Sequence, residues 1–250
     1  GVTYRPIPDL VFAYNQNSPM LDEVEGAASR IINNTRVFSN LYAEWNILPS
    51  LTFKSTLGID ISTNKDGQFN GPKSLSQATV GKSISSLSYS DNFGYTLDNT
   101  LNYSKRFGIH NIQALAGTST QYSRGQSLSV TTSGQATPST LWYDQNYVNN
   151  STTTSTWSPY QMVSLFGRIN YSLKDRYLFQ ATVRNDNASQ LAKGHKSAVF
   201  PSVSAGWRIS EEQFLKNVTF ISNLKLRYSW GVAGNASSAV AYGTLASVST

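Results

Sequence analysis

Apolar and polar residues alternate with period two along most of this chain, a pattern that fits half-buried β-strands and little else. From Val37 to Ile47, one face reads Val37, Ser39, Leu41, Ala43, Trp45 and Ile47. The other reads Phe38, Asn40, Tyr42, Glu44 and Asn46. After a turn at Leu48-Pro49-Ser50, Leu51, Phe53, Leu57, Ile59 and Ile61 alternate with Thr52, Lys54, Thr56, Gly58, Asp60 and Ser62. This predicts a hairpin whose strands each run about ten residues.

The same unit recurs. Alternation over 87–103 leads through a turn at Lys105–Ile109 into a strand from His110 to about Tyr122. Residues 165–172 and 177–184 flank a turn at 173–176, and two further strands lie at 201–209 and 224–232. About eight strands are expected, several longer than the usual five or six residues. Short connections near 48–50, 105–109 and 173–176 alternate with long polar ones near 63–82, 123–156 and 187–197. Residues 210–216 read as a helical turn or two, capped by Ser210, with Gln213 completing a capping box. Residues 1–34 read as irregular, with a short helix near Pro19 to Ala28, and 236–250 begin another polar segment.

Composition narrows the class. Charged residues make up 14%, against about 25% in a typical soluble domain. Hydrophobic residues reach only 39%, yet aromatics stand at 12%, which argues against disorder. The absence of Cys excludes a disulfide scaffold, a thiolate zinc site and a cysteine nucleophile. No apolar stretch approaches the length of a transmembrane helix, and no signal-peptide pattern follows Gly1, so a mature or truncated piece is expected. The net charge of +6 is spread thinly, with no Lys/Arg-rich run, and nucleic acid is not an expected partner.

A strand with one apolar and one polar face must bury the apolar side. In a soluble sandwich a second sheet covers it; in a membrane barrel lipid does, and the sheet must then close. Outer-membrane barrels combine ten-residue alternating strands, short turns at one end, long loops at the other, and aromatic girdles. All four features stand in this chain. Lys54, Asp60, Asp98, Arg168, Arg184, Arg208, Lys225 and Arg227 charge the polar face, which suits a wet lumen or bulk water equally. The loop asymmetry, and aromatics such as Tyr42, Trp45, Tyr103, Tyr177, Trp207 and Trp230 toward strand ends, favour the barrel.

The second half carries a resemblance. Leu165-Phe166-Gly167-Arg168-Ile169-Asn170-Tyr171, Arg176-Tyr177-Leu178 and Arg184-Asn185-Asp186 are followed by a run from Phe200-Pro201-Ser202-Val203-Ser204-Ala205-Gly206-Trp207-Arg208 to Glu212. Leu224 to Asn235 closes on Gly231-Val232-Ala233-Gly234-Asn235, a Gly-x-x-Gly-Asn signature. Together with Glu44–Gly58 these segments resemble the barrel of SusC/RagA-type TonB-dependent outer-membrane transporters over most of 30–235. Asn187-Ala188-Ser189-Gln190-Leu191 departs from the family's usual Gly-Ser-Ser loop. The resemblance implies an all-β fold. The whole of 1–250 would be an antiparallel transmembrane segment of about eight strands, cut from a larger plugged barrel in the bacterial outer membrane. Such barrels have about 22 strands. It further implies import of oligosaccharides, peptides or similar large nutrients, a SusD-like surface lipoprotein as lid, and energy from the TonB complex through an N-terminal part outside this chain. No enzyme activity and no cofactor follow from it.

Within that reading, Arg168, Arg184, Arg208 and Arg227 are candidates for lumen or plug contacts, because the guanidinium fork pairs carboxylates and carbonyls bidentately. A structural reading, in which they only keep the lumen wet, stands beside it. Trp142, Tyr143, Tyr147, Trp157 and Tyr160 are candidate substrate contacts from the long connection, with interface anchoring or loop packing as the competing reading. His110 and His195 lack metal-ligand spacing, and no Gly-x-Ser-x-Gly nucleophile elbow occurs. Glu211-Glu212 fit the start of a short helix. Two other architectures stay open at this point: a self-contained small barrel acting as adhesin or porin, and a secreted carbohydrate-binding β-sandwich.

Overall fold

A computed structural model of the chain describes residues 19–134, 140–145, 151–191, 194, 196–215 and 220–234. They form eight strands: β1 (Ala28–Leu48), β2 (Leu51–Asn70), β3 (Ile84–Phe107), β4 (His110–Ser133), β5 (Ser151–Leu173), β6 (Tyr177–Ala188), β7 (Ser197–Arg208) and β8 (Lys225–Gly231). All belong to one sheet whose spatial order is the sequence order, with β1 and β8 at its ends. No second sheet lies among the described residues, so the apolar face is not covered as a sandwich requires.

The register shows why the alternation was needed. Across β5 to β8, Leu173, Tyr177, Trp207 and Leu226 stand side by side. The next rows on that face are Tyr171, Phe179, Ala205 and Tyr228, then Ile169, Ala181, Val203 and Trp230. The intervening rows are polar, for example Asn170, Gln180, Ser204 and Ser229. Most large side chains of the apolar rows remain exposed: Ile169, Phe179, Val203, Leu226, Tyr228 and Trp230 are all more than half open. A water-soluble protein rarely leaves so continuous an apolar field uncovered.

Several sequence expectations need correction. β1 to β5 run 20 to 24 residues rather than about ten. β1 begins at Ala28, inside the stretch read as irregular, and the helix expected near Pro19 is a 3₁₀ turn over Pro19–Glu23. The connection read as 123–156 shrinks to the segment between Ser133 and Ser151, which puts Trp157 and Tyr160 on β5. The capped helix expected over 210–216 does not appear in its described part, 210–215: a 3₁₀ turn spans Ile209–Glu211, with Arg208 at its N-cap and no side-chain cap. The Ser210 amide donates instead to the Leu224 carbonyl at 3.1 Å.

Two compact units divide these residues. One takes in Ile61–Phe93 and Gly125–Ser158 with the described part of Gly1–Val37; the other takes in Phe38–Asp60, Gly94–Arg124 and Pro159–Thr250 in their described parts. In the first unit, Gly67, Phe69, Ser85 and Thr132 are buried on one face. Trp142 covers it at Gly67. Its indole lies so close that a Cβ at Gly67 would fall 2.1 Å from Nε1, so only glycine fits. Gln145 fastens the same connection: its Nε2 donates to the Trp142 carbonyl at 2.9 Å, and its Oε1 accepts from Thr132 at 2.7 Å. Arg30 grips Asp66 with two hydrogen bonds, at 3.0 and 2.6 Å.

In the second unit, Leu173-Lys174-Asp175-Arg176 forms a two-residue hairpin turn closed by the Arg176 amide on the Leu173 carbonyl at 3.0 Å. Lys174 and Asp175 both adopt left-handed φ, 54° and 55°, as the twist-matched turn demands. At the other end, the signature glycines of 231–235 have a steric reason. A Cβ on Gly231 would meet Ser202 at 2.8 Å, and one on Gly234 would meet the Phe200 ring at 2.4 Å. Asn235 lies outside the described residues.

Candidate functional site

The polar face of the second unit carries a concavity of about 310 Å³. Its floor is neutral and rich in hydrogen-bonding groups: Asn111 and Gln113 from β4, Asn170 from β5, Gln180 from β6 and Ser204 from β7. Its charge comes from three cations, Arg208 at the end of β7 and Lys225 and Arg227 on β8. Arg208 and Lys225 are direct register partners, and Arg227 lies across from Gly206, whose missing side chain leaves the hollow open. Asp175 joins the rim from the β5–β6 turn. It is already engaged, taking two hydrogen bonds from Arg106 at 3.0 and 3.1 Å. Those bonds hold the Asp175 carboxyl below the usual carboxylate range.

Of the four predicted lumen arginines, the hollow brings together Arg208 and Arg227 only. Arg168 sits further along β5, opposite Thr182. Arg184 is spent internally: its Nε donates to Asp186 at 2.6 Å, its Nη2 donates to Ser164 at 2.9 Å, and its guanidinium lies over the Phe166 ring. A second hollow on the polar face has the opposite sign, with Asp60 and Asp98 among Thr56, Thr96 and Gln121.

The predicted aromatic contacts scatter. Trp142 is only 2% exposed and packs on the sheet, while Tyr143 beside it is 69% exposed and Trp157 is 66% exposed. Tyr160 is half-buried, its hydroxyl donating to the Met162 sulfur at 3.2 Å. Tyr147 and His195 lie outside the described residues. His110 has a structural role: its Nδ1 and the Tyr171 hydroxyl share a hydrogen bond of 2.7 Å. No group of metal-ligating side chains occurs among the described residues.

Sequence reading missed the role of Glu212. It is not a helix-start acid but a hub at the foot of β6 and β7. Its carboxylate accepts from Tyr177 at 2.8 Å, from the Trp207 indole at 3.1 Å and from Arg176 at 2.9 Å. The Tyr177 hydroxyl, followed by the Trp207 N–H, holds the Glu212 carboxyl below the ordinary range.

A family model described as "TonB dependent receptor-like, beta-barrel" matches residues 2–248. The chain belongs to that family. Among its relatives is "TonB-dependent receptor P39" of Formosa agariphila, 32% identical over 89% of this chain and 21% of that protein. Another is "TonB-dependent receptor SusC" of Bacteroides thetaiotaomicron, 29% identical over 91% of this chain and 22% of its own length. The chain thus spans about a quarter or less of these curated relatives. In fold it is similar to the solved RagAB peptide importer in its "open-open" state, with a TM-score of 0.80 and 20% identity over 93% of this chain and 25% of that one. The SusC/RagA-type resemblance and the barrel fold are therefore secure, and TonB-dependent receptors are transporters rather than enzymes.

Proposed function

We propose that this chain forms part of the wall and vestibule of a SusC-like TonB-dependent importer in the bacterial outer membrane, with all 250 residues in one barrel domain. The observation that carries this reading is the two-faced sheet: apolar rows left exposed on one side, polar and charged rows on the other. Lipid suits the first face and a water-filled lumen the second. The rest of the parent polypeptide supplies the plug, the remaining strands and the segment that engages TonB. A SusD-like surface lipoprotein closes the vestibule, a partnership supported by the SusC and RagAB likenesses.

The cargo is a large nutrient, an oligosaccharide or a peptide. Tyr143 and Trp157 offer open rings for stacking on sugar faces or peptide side chains, whereas Trp142 serves the packing of its own connection. Arg168, Arg208 and Arg227 stand on polar rows, which this reading turns toward the lumen. The test is to delete the full-length gene and supply oligosaccharides or peptides as the sole source of the nutrient. Growth should fail on one class and return when the gene is restored. Normal growth on both, or recovery of the full-length protein from the soluble fraction without detergent, would sink the reading.

A further inference from the structure

Four of the described arginines are matched with acids. Arg30, Arg106, Arg176 and Arg184 each meet a carboxylate at 3.0 Å or less. Arg208, Lys225 and Arg227 are arranged differently. They converge on one hollow, where Arg208 reaches Asp175 through space as a minor influence on its carboxyl and none of the three is hydrogen-bonded to it. The single acid on the rim, Asp175, is taken up by Arg106 through both oxygens and by Ser172 through one.

Three like charges in one concavity repel one another, and a polar hollow on a sheet face concentrates their field. Asp175, already held by Arg106, offsets this charge only in part, and the hollow keeps an excess of positive charge that a counter-charge from outside these strands would balance. The surrounding Asn111, Gln113, Asn170 and Gln180 add amide donors, and the guanidinium forks match a planar, two-oxygen acceptor. We propose that this hollow is a carboxylate-binding site, resting on the lumenal reading of the polar face given above. Its ligand is either a set of Asp/Glu side chains from the rest of the parent polypeptide or a free organic acid. Arg184, neutralised by Asp186, takes no part in it.

The test uses the full-length transporter, purified in detergent on a cysteine-free background with Ser204→Cys placed in the hollow. Two thiol reagents are compared, an anionic sulfonatoethyl methanethiosulfonate and a cationic trimethylammonioethyl one. If free anions are drawn in, the anionic reagent reacts about tenfold faster or more, a ratio within the range that charged clefts impose on association rates. Arg208→Gln/Lys225→Gln/Arg227→Gln should bring that ratio close to one. If carboxylates of the same polypeptide occupy the hollow, neither reagent labels the parent protein, and both label the triple variant. Equal rates for the two reagents would overturn the proposal, as would protection that charge removal leaves unchanged. Where the triple variant does not fold, Lys225→Gln alone replaces it, with a smaller change in the same direction. A protein that needs no detergent would defeat the membrane reading and still leave these rates readable.

Discussion

At the residue scale, one acid does the work of a small core. Glu212 gathers a phenol, an indole and a guanidinium at the foot of two strands, fixing aromatic rings that would otherwise turn freely. Replacing it by Gln keeps the shape but removes the charge-assisted bonds, and the midpoint of thermal unfolding should fall. The pH dependence has a definite sign. The folded carboxyl is held below its unfolded value, so its stabilisation is full above about pH 4.3 and disappears as pH falls through the depressed folded value. Parent and Glu212→Gln proteins should therefore differ in melting temperature at pH 7 and converge in strong acid; a gap independent of pH would refute the assignment. Gly67→Ala should cost about 1–3 kcal/mol, because the new methyl must push the Trp142 indole off the sheet. Faster protease cleavage in 134–150 would report the release of that connection. Neither role was legible in the sequence. Glu212 looked like a helix-start acid and Trp142 like an open loop aromatic, because Tyr177 lies 35 positions from the first and Gly67 lies 75 from the second.

At the element scale, alternation located all eight strands yet undercounted their length. The reason is physical. In a barrel wall, as proposed, apolar-polar contrast marks only the part of a strand that meets lipid on one side, and about ten residues suffice for that. Beyond it β2 continues through Thr63-Asn64-Lys65-Asp66-Gly67 without a hydrophobic signature, held by polar side-chain pairs such as Arg30 with Asp66 and by the packing of Trp142 on Gly67. The cationic hollow was half legible: its charges were placed on the polar face, but the sixteen positions between β7 and β8 conceal the register that brings Lys225 beside Arg208. Two changes check the facing. Val203→Arg, in the middle of an apolar row, should destabilise the membrane-inserted protein by about 2–4 kcal/mol in urea titrations. Ser119→Arg, in phase on β4 with the pocket residues Asn111 and Gln113, should cost far less. Equal losses would contradict the two-faced assignment. In the β5–β6 turn, Lys174→Gly removes a left-handed non-glycine residue and should raise stability by about 1 kcal/mol.

At the scale of the whole molecule, the sheet ends in two strands, β1 and β8, and its apolar rows are uncovered. Such edges template pairing with other chains. Residues 1–250 produced alone should sediment as aggregates unless detergent is present, and a monomer in plain buffer on a sizing column would contradict that. Class and architecture were legible at this scale because they depend on rhythm: period two within strands, and short and long links in turn. Cargo was not, because neither the rhythm of the strands nor the polar composition of the long connections names a ligand.

Every strand here pairs only with its neighbours in the chain. A sheet of that kind is modular in circumference. Removing or duplicating one hairpin, say β5 with β6, reroutes no other connection and leaves the inside-outside phase of the rest intact. Channel width in such a scaffold is thus a quantity that gene duplication can step up or down, two strands at a time, without inventing a new fold.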